Sequence, residues 1–330
     1  MIDIVGKRGW YFIFSALLII PGLISMIIPP GGWVTLGSGL NPGIDFTSGS
    51  VLDVTFEEPV TQQQIQVRME ALGHPETLIQ KTGSRSVLIR TKQLAEATAG
   101  GTSERARIQD DLADNVAPIE SVGFDSISPI VAQETVRNAF FALLAASVFI
   151  LLYIWYAFRR VPKSYRYGIS AVLTLVHDTL IVLGVFSILG RAINMEVNSM
   201  FIVGILTVAG YSVNDTIVVF DRIRENAIRF PDRALDSVVN LSIVETLGRS
   251  VNTSFTTFMV LLAMLLIGGP SIRELLLVVA IGVIIGTYSS ICIASQFIVI
   301  WDRGEMGRVI GRGRRVPATA AAGLLHLIGR

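Results

Sequence analysis

Six long apolar runs organise the chain. They cover residues 10–29, 138–158, 167–190, 198–220, 246–268 and 273–301, each near the ~20 mostly apolar residues that cross the hydrocarbon of a bilayer. The pattern therefore predicts six membrane spans. Lys7 and Arg8 precede the first run, as in a signal sequence, but no small-x-small cleavage site follows it. Pro29-Pro30-Gly31-Gly32 come next, so a retained helix is expected.

Between the first two runs the period changes. VLDVTF (51–56) alternates apolar and polar residues as a strand does, and TQQQIQVRMEALG (61–73) has helical periodicity with Thr61 and Gln64 spaced as a capping box. ETLIQKT and RSVLIRT flank Gly83-Ser84 as a hairpin would. Gly100-Gly101 marks a loop before a second helix, SERARIQDDLADNV, and IESVGFDSISPIV reads as a last strand. Two helices on one antiparallel sheet in this order predict a small ferredoxin-like α+β domain. The expected organisation is residues 1–29 for the N-terminus and first span, 30–136 for the α+β domain, 137–301 for spans two to six, and 302–330 for a basic tail. The fold class is thus a membrane α-helical bundle of six spans with one small domain outside it.

Composition and charge give the bundle a direction. The chain is 51% hydrophobic and 16% charged, well below the quarter charged that is usual in soluble domains. Residues 30–136 carry 7 Lys+Arg against 14 Asp+Glu, so 20 against 12 remain elsewhere. That excess falls in FRRVPKSYR after span two, in DRIRENAIRFPDR after span four and in the tail, whereas the loops after spans three and five hold only Arg191 and Arg273 as cations. Short loops rich in Lys and Arg stay in the cytoplasm. Both termini are expected inside the cell membrane and the acidic domain outside it.

One cysteine, Cys292, excludes an internal disulfide or a cysteine metal site, and His74, His177 and His326 are scattered. No nucleophile elbow, phosphate loop or paired-acid motif is present, which argues against an enzyme. Neither a metal, a cofactor nor a nucleic acid is called for.

The candidate chemistry lies inside the spans, where a charge costs roughly 2.5–3.5 kcal/mol at a helix centre on insertion scales. Asp178 lies in span three, Asp215 in span four and Arg249 near the start of span five. Helical spacing puts Thr207 and Tyr211 on the face of Asp215, with Asn214 beside it, and Thr253 and Thr256 or Thr257 on the face of Arg249. Spans four and five thus each present a polar stripe. Two readings compete: a static Asp215–Arg249 pair that fixes helix packing, or a carboxylate that takes and releases a proton under the influence of the arginine. Asp178, beside His177, is open to a local pairing role or a transport role. Asp221 and Arg222 read as a solvated interfacial pair.

These residues also carry a family resemblance. GIDFTSGS (43–50) resembles a glycine motif G-I-D-F-T-G-G, with Ser48 where the first glycine of the final pair stands. VHDTLIVLGVF (176–186), GYSVNDTIVVFDRIREN (210–226) and LGRSVNTSFTT (247–257) are similar to the third, fourth and fifth spans of the same family. It is the SecD/SecF family of the bacterial Sec protein translocase, within the resistance-nodulation-division superfamily. The resemblance implies six spans, an outer domain carrying the motif residues Gly43, Asp45, Phe46 and Gly49, and proton-linked movement at Asp215 and Arg249, a pathway to which the residue pattern adds Asp178 as a candidate. It implies a SecD-type partner subunit, the SecYEG channel, SecA-driven preproteins as cargo and a surround of membrane lipid. The implied function is use of the proton-motive force in late preprotein export. The alternatives are one half of a proton-driven exporter of lipids or small molecules, and a purely structural translocon protein.

Overall fold

The computed structural model describes residues 3–28, 39–95, 103–159, 163–193, 195–269 and 272–304. The Pro29–Gly32 segment, Gly100-Gly101, residues 160–162 of the basic loop, His326 and the tail from residue 305 lie outside the described residues. The chain forms two compact units. One comprises residues up to 39, 143–189 and from 203 onward, and the other residues 40–142 and 190–202.

The first unit holds most of the apolar helical segments; residues 129–142 and the short helix ends between 190 and 202 fall in the second. α1 (Arg8–Ile27), α5 (Pro129–Ala157), α6 (Tyr165–Ile193), α7 (Ser199–Arg229) and α8 (Leu235–Ile267) are five of the apolar helices. The sixth is α9 (Arg273–Ser289), continued by a π-helical turn at Ser290–Ala294 and by α10 (Ser295–Asp302). All six are long and apolar enough to cross a membrane, in the number and order the sequence predicts. Several run past their apolar windows, because the polar ends of α7 and α8 continue the helical hydrogen bonding beyond the hydrocarbon.

Burial divides them. α6, α7 and the α9–α10 helix form the interior, while α1, α5 and α8 turn mostly apolar faces outward. The interior helices approach closely at small residues. A Cβ on Gly204 would lie 2.6 Å from Val278, one on Gly282 2.0 Å from Val208, and one on Gly286 3.0 Å from Ser212. These positions repeat every four residues on both α7 and α9, so a single stripe on each helix makes the contact, as small residues do in membrane bundles. Gly22 and Gly184 bring α1 and α6 together in the same way, with Ser25 and Ser187 hydrogen-bonded at 2.8 Å beside them. At one end Phe158 stacks on Tyr167 at 5.3 Å, and Phe220 meets both rings edge-on.

The second unit is built on four antiparallel strands. They are β1 (Gly49–Phe56), β2 (Leu78–Lys81), β3 (Ser86–Thr91) and β4 (Ile119–Ile127), in spatial order β2-β3-β1-β4. α3 (Gln62–Ala71) joins β1 to β2, and α4 (Glu104–Asn115) precedes β4. The expected capping box is present: Gln64 N–H donates to Thr61 Oγ1 at 3.3 Å, and Thr61 N–H donates to the Gln64 side chain at 2.9 Å. Leu52, Val54 and Phe56 alternate inward from β1. They pack with Val87 and Ile89 against Ile65 and Met69 of α3 and Ile108 and Leu112 of α4. Both helices therefore cover one face of the sheet. Arg68 of α3 forms an ion pair with Asp111 of α4.

Residues 190–202, between α6 and α7, belong to this same unit. Pro42 bridges Val197, Gly43 N–H donates to Val197 O at 2.7 Å, Val197 N–H donates to Asn41 O at 2.8 Å, and Arg90 pairs with Glu196.

Candidate functional site in the helical bundle

Asp215 is set by the phase of α7. The stripe that packs on α9 includes Val208 and Ser212, and Asp215 follows Ser212 by three residues, so it turns inward and is only 9% exposed. Its carboxylate accepts two hydrogen bonds. Ser250 of α8 donates to Oδ1 at 2.6 Å, and Ser290, the first residue of the π-helical turn, donates to Oδ2 at 2.5 Å. Both donors are neutral hydroxyls.

Asp178 occupies a second seat, fully buried in α6. Ser212 and Ser289 donate to its Oδ2 at 2.5 and 2.7 Å, and His177 Nδ1 lies 2.9 Å from its Oδ1. His177 Nε2 contacts Ser15 Oγ of α1 at 2.8 Å. Ser15 Oγ lies 3.3 Å from Tyr288 OH, which donates to Tyr11 O at 2.7 Å. Two consecutive serines of the last span, Ser289 and Ser290, therefore serve the two carboxylates. A π turn is rare inside a helix and marks functional positions more often than chance. Here it begins at one of these donors.

The arginine is placed differently from either sequence-based expectation. Arg249 is exposed and lines a groove with Tyr153 of α5 and Val218, Asp221 and Glu225 of α7. The charged groups around it pair with one another: Arg222 bonds Glu245 at 2.6 Å and Glu225 at 2.5 Å, and Arg224 bonds Asp221 at 2.6 Å. Among the described residues Arg249 has no ion pair or hydrogen bond, so the structure does not bring it to Asp215. The reason is the phase of α8. Ser242, Thr246, Ser250 and Ser254 recur every four residues and form its buried stripe, which leaves Arg249 one position round the helix.

The same phase places the supporting polar residues. Tyr211 OH donates to Ser254 Oγ at 3.1 Å, and Thr287 Oγ1 donates to the same oxygen at 2.5 Å, so Tyr211 joins the interior network. Thr207, Asn214, Thr253 and Thr256 are exposed. Thr207 donates to Val203 O at 2.8 Å, and Thr256 to Thr253 O at 2.9 Å, each within its own helix. The sequence reading missed Ser250, Ser289, Ser290, Ser212 and Ser15. Their signal was present as hydroxyls at four-residue spacing and as the TYSS cluster in an apolar run.

In the second unit Asp45 and Phe46 lie in a short helix, α2 (Ile44–Thr47), with Gly43 before it and Gly49 after it. Gly43 is needed for close approach, since a Cβ there would meet Val197 O at 3.2 Å. Gly49 has φ 126° and its Cβ would lie 2.6 Å from Thr91 O. Phe46 N–H donates to Gly43 O at 3.1 Å, closing the turn of α2. Asp45 Oδ2 accepts from Ser199 N–H, at the start of α7, at 2.6 Å.

Comparison with known proteins agrees with these features. Residues 108–304 match the family model described as protein export membrane protein SecD/SecF, C-terminal, and residues 33–60 match the SecD/SecF GG motif. The chain is 37% identical to the protein translocase subunit SecF of Thermobaculum terrenum over 98% of its own length and 100% of that protein. It is 31% identical to the protein translocase subunit SecDF of Bacillus subtilis, covering 92% of itself and 38% of that longer chain. The crystal structure of SecDF, a translocon-associated membrane protein from Thermus thermophilus, superposes with a TM-score of 0.76 at 31% identity, over 92% of this chain and 39% of the other. The chain belongs to the SecD/SecF family of protein-export membrane proteins.

Proposed function

We propose that the chain is a non-enzymatic membrane subunit of the Sec translocase that couples the proton-motive force to late steps of preprotein export through Asp215. The observation that carries this reading is the seat of that carboxylate, bonded in the span by two neutral hydroxyls and, among the described residues, by no cation. A static ion pair would leave a buried charge unpaired whenever the aspartate was protonated. Serine hydroxyls can reorient to accept from a protonated carboxyl as readily as they donate to a charged one, so this seat accommodates both states. Asp178, with His177 and two serines, is read as a second station of the same pathway.

The partner follows from the outer surface of the bundle. Asn214, Asn252, Thr253 and Arg249 are exposed on α7 and α8, and lipid tails satisfy none of their polar groups. A second set of helices is needed to cover them. The SecDF relatives hold further chain beyond the part matched here, and on that basis the partner is a SecD-type subunit, with SecYEG and SecA-driven preproteins as the wider machinery. Loop charge puts both termini in the cytoplasm. The outer unit's β-α-β-β-α-β order is read as ferredoxin-like.

The test is Asp215→Asn in inverted vesicles. Asparagine is nearly isosteric: its amide oxygen accepts from one of the two serines and its NH2 donates to the other, whose hydroxyl reorients, yet it carries no exchangeable carboxyl proton. Expression, partner assembly and ATP-driven export should persist, while stimulation by an imposed proton gradient disappears. Moving one charge through 100 mV is worth roughly 2.3 kcal/mol, and the variant forfeits that drive. Full stimulation in Asp215→Asn would sink the proposal, and stimulation by a sodium gradient alone would replace the proton with sodium.

A further inference from the structure

Asp45 sits far in sequence from α7 and yet caps it. The first four N–H groups of a helix have no partner within it, and its N-terminus carries about half a positive charge. At α7 two side chains meet that demand. Asn198 Oδ1 accepts from Phe201 N–H at 3.1 Å, as a local N-cap does, and Asp45 Oδ2 accepts from Ser199 N–H at 2.6 Å across 154 residues of sequence. A carboxylate accepting from a helix N-terminus is among the stronger hydrogen bonds a protein makes.

Asp45 is itself held firmly. It lies in α2, which is closed by Phe46 N–H to Gly43 O at 3.1 Å and Ser48 N–H to Ile44 O at 2.8 Å. α2 leads through Gly49 directly into β1, the central strand of the sheet. The approach to α7 is gripped at two more places: the Pro42–Val197 bridge, made by the Gly43–Val197 and Val197–Asn41 backbone bonds, and the Arg90–Glu196 pair from β3. Two backbone bonds, one ion pair and the Asp45 cap thus tie residues 196–199 to the rest of the sheet unit, and α7 runs unbroken from there. Asp215 lies 16 residues on from Ser199, about 24 Å along the axis at 1.5 Å per residue.

We infer that Asp45 is a positioning residue: it clamps the first turn of α7 to the outer sheet, so that this turn and the sheet move as one body and displacement of the outer unit is transmitted along α7 to Asp215. This rests on the proposed proton role of Asp215. Gly43 and Gly49 acquire a purpose within it, since one admits Val197 and the other turns the chain from the clamp into β1.

The experiment uses the full chain with its partner in vesicles and compares wild type, Asp45→Ala, Asp45→Asn and Asp215→Asn. Asp45→Ala should speed amide exchange at Ser199 and the first turn of α7 about five- to tenfold. It should also lose most of the gradient-stimulated export while ATP-driven export and protein level hold. Asp45→Asn, which keeps an acceptor without the charge, should fall between. If Asp215→Asn loses stimulation and Asp45→Ala keeps it, the clamp is wrong and the proton site stands. If both kinds of export fall together in Asp45→Ala, the residue is merely structural and the inference is overturned. Full stimulation in Asp215→Asn overturns both readings.

A second variant covers failure of Asp45→Ala to assemble. Cysteines at Pro42 and Val197, in a Cys292→Ala background, would form a disulfide across the bridged pair. Oxidation should leave export at its reduced-state rate if the clamp stays closed through the cycle. Loss of stimulation on oxidation, restored by reductant, would show that the clamp must open and would refute it.

Discussion

Replacing Ser48 by glycine should stabilise the sheet unit. Ser48 has φ 62° and ψ 169°, a region that glycine alone enters without strain and that costs other residues about 1–3 kcal/mol. It holds that conformation because its own N–H is fixed to Ile44 O at 2.8 Å and the next residue begins β1. Its hydroxyl makes no hydrogen bond among the described residues, so the substitution forfeits no contact. Glycine gives back about 0.4–1 kcal/mol through the greater entropy of the unfolded chain. The net gain is about 0.5–2 kcal/mol, or a roughly 2- to 30-fold slowing of exchange from globally opened states.

The assay is hydrogen exchange read by mass spectrometry on β1 and β3 peptides of the solubilised chain, with Ser48→Ala as control. Alanine removes the hydroxyl and keeps the Cβ, so it should leave the rates near wild type. If glycine slows exchange no more than alanine does, no backbone strain is stored at Ser48. The family motif carries glycine at this position, so the outcome also tests whether this chain holds the motif's shape at a cost.

Two further outcomes follow from contacts in each unit. Arg68 beside Asp111 holds that carboxyl below the ordinary aspartate value, so the bond contributes stability at pH values above about 4 and loses it as pH falls through and below that value; urea unfolding of the outer unit should weaken with acid, and less so in Asp111→Asn. Gly282→Ala would drive a Cβ to within 2.0 Å of Val208 and should destabilise the bundle by about 1–3 kcal/mol, whereas Gly210→Ala, with nothing within 4 Å, should not; thermal unfolding in detergent separates them, and equal loss would mean that α7 and α9 do not pack at these residues.

The parts legible in sequence were those set by long-range pattern. Six apolar runs gave six helices, and the strand alternation and capping box gave β1 and α3, because hydropathy over 20 residues and a local cap decide those elements. The phase of α8 was not legible. Arg249 and Thr253 draw attention as the most polar positions in an apolar run. In a bundle, however, the buried stripe goes to the smallest residues, which let backbones approach. Ser242, Thr246, Ser250 and Ser254 are those residues, and their choice depends on the neighbouring helices. The association of residues 190–202 with the sheet unit was hidden for the same reason, since Arg90, Glu196, Asp45 and Ser199 meet only in three dimensions.

The two carboxylate seats differ in a way that bears on their roles. Asp178 is fully buried, and its oxygens meet three side chains on three helices, His177, Ser212 and Ser289. A group so enclosed exchanges a proton only through a partner, and His177 leads outward through Ser15 to Tyr288. Asp215 has two hydrogen-bond partners among the described residues and retains 9% exposure. On the proposed reading, Asp215 is the group that meets water or the partner subunit, and Asp178 senses its state through the helix they share contacts with. Ser289 and Ser290 are adjacent, one at the end of the α-helical segment and one at the start of the π turn. A change in the hydrogen bond at Ser290 therefore bears on the geometry at Ser289, because the backbone between them is a single peptide link. On the proposed reading, the last span bears on both acids through these neighbouring hydroxyls at the start of its π turn.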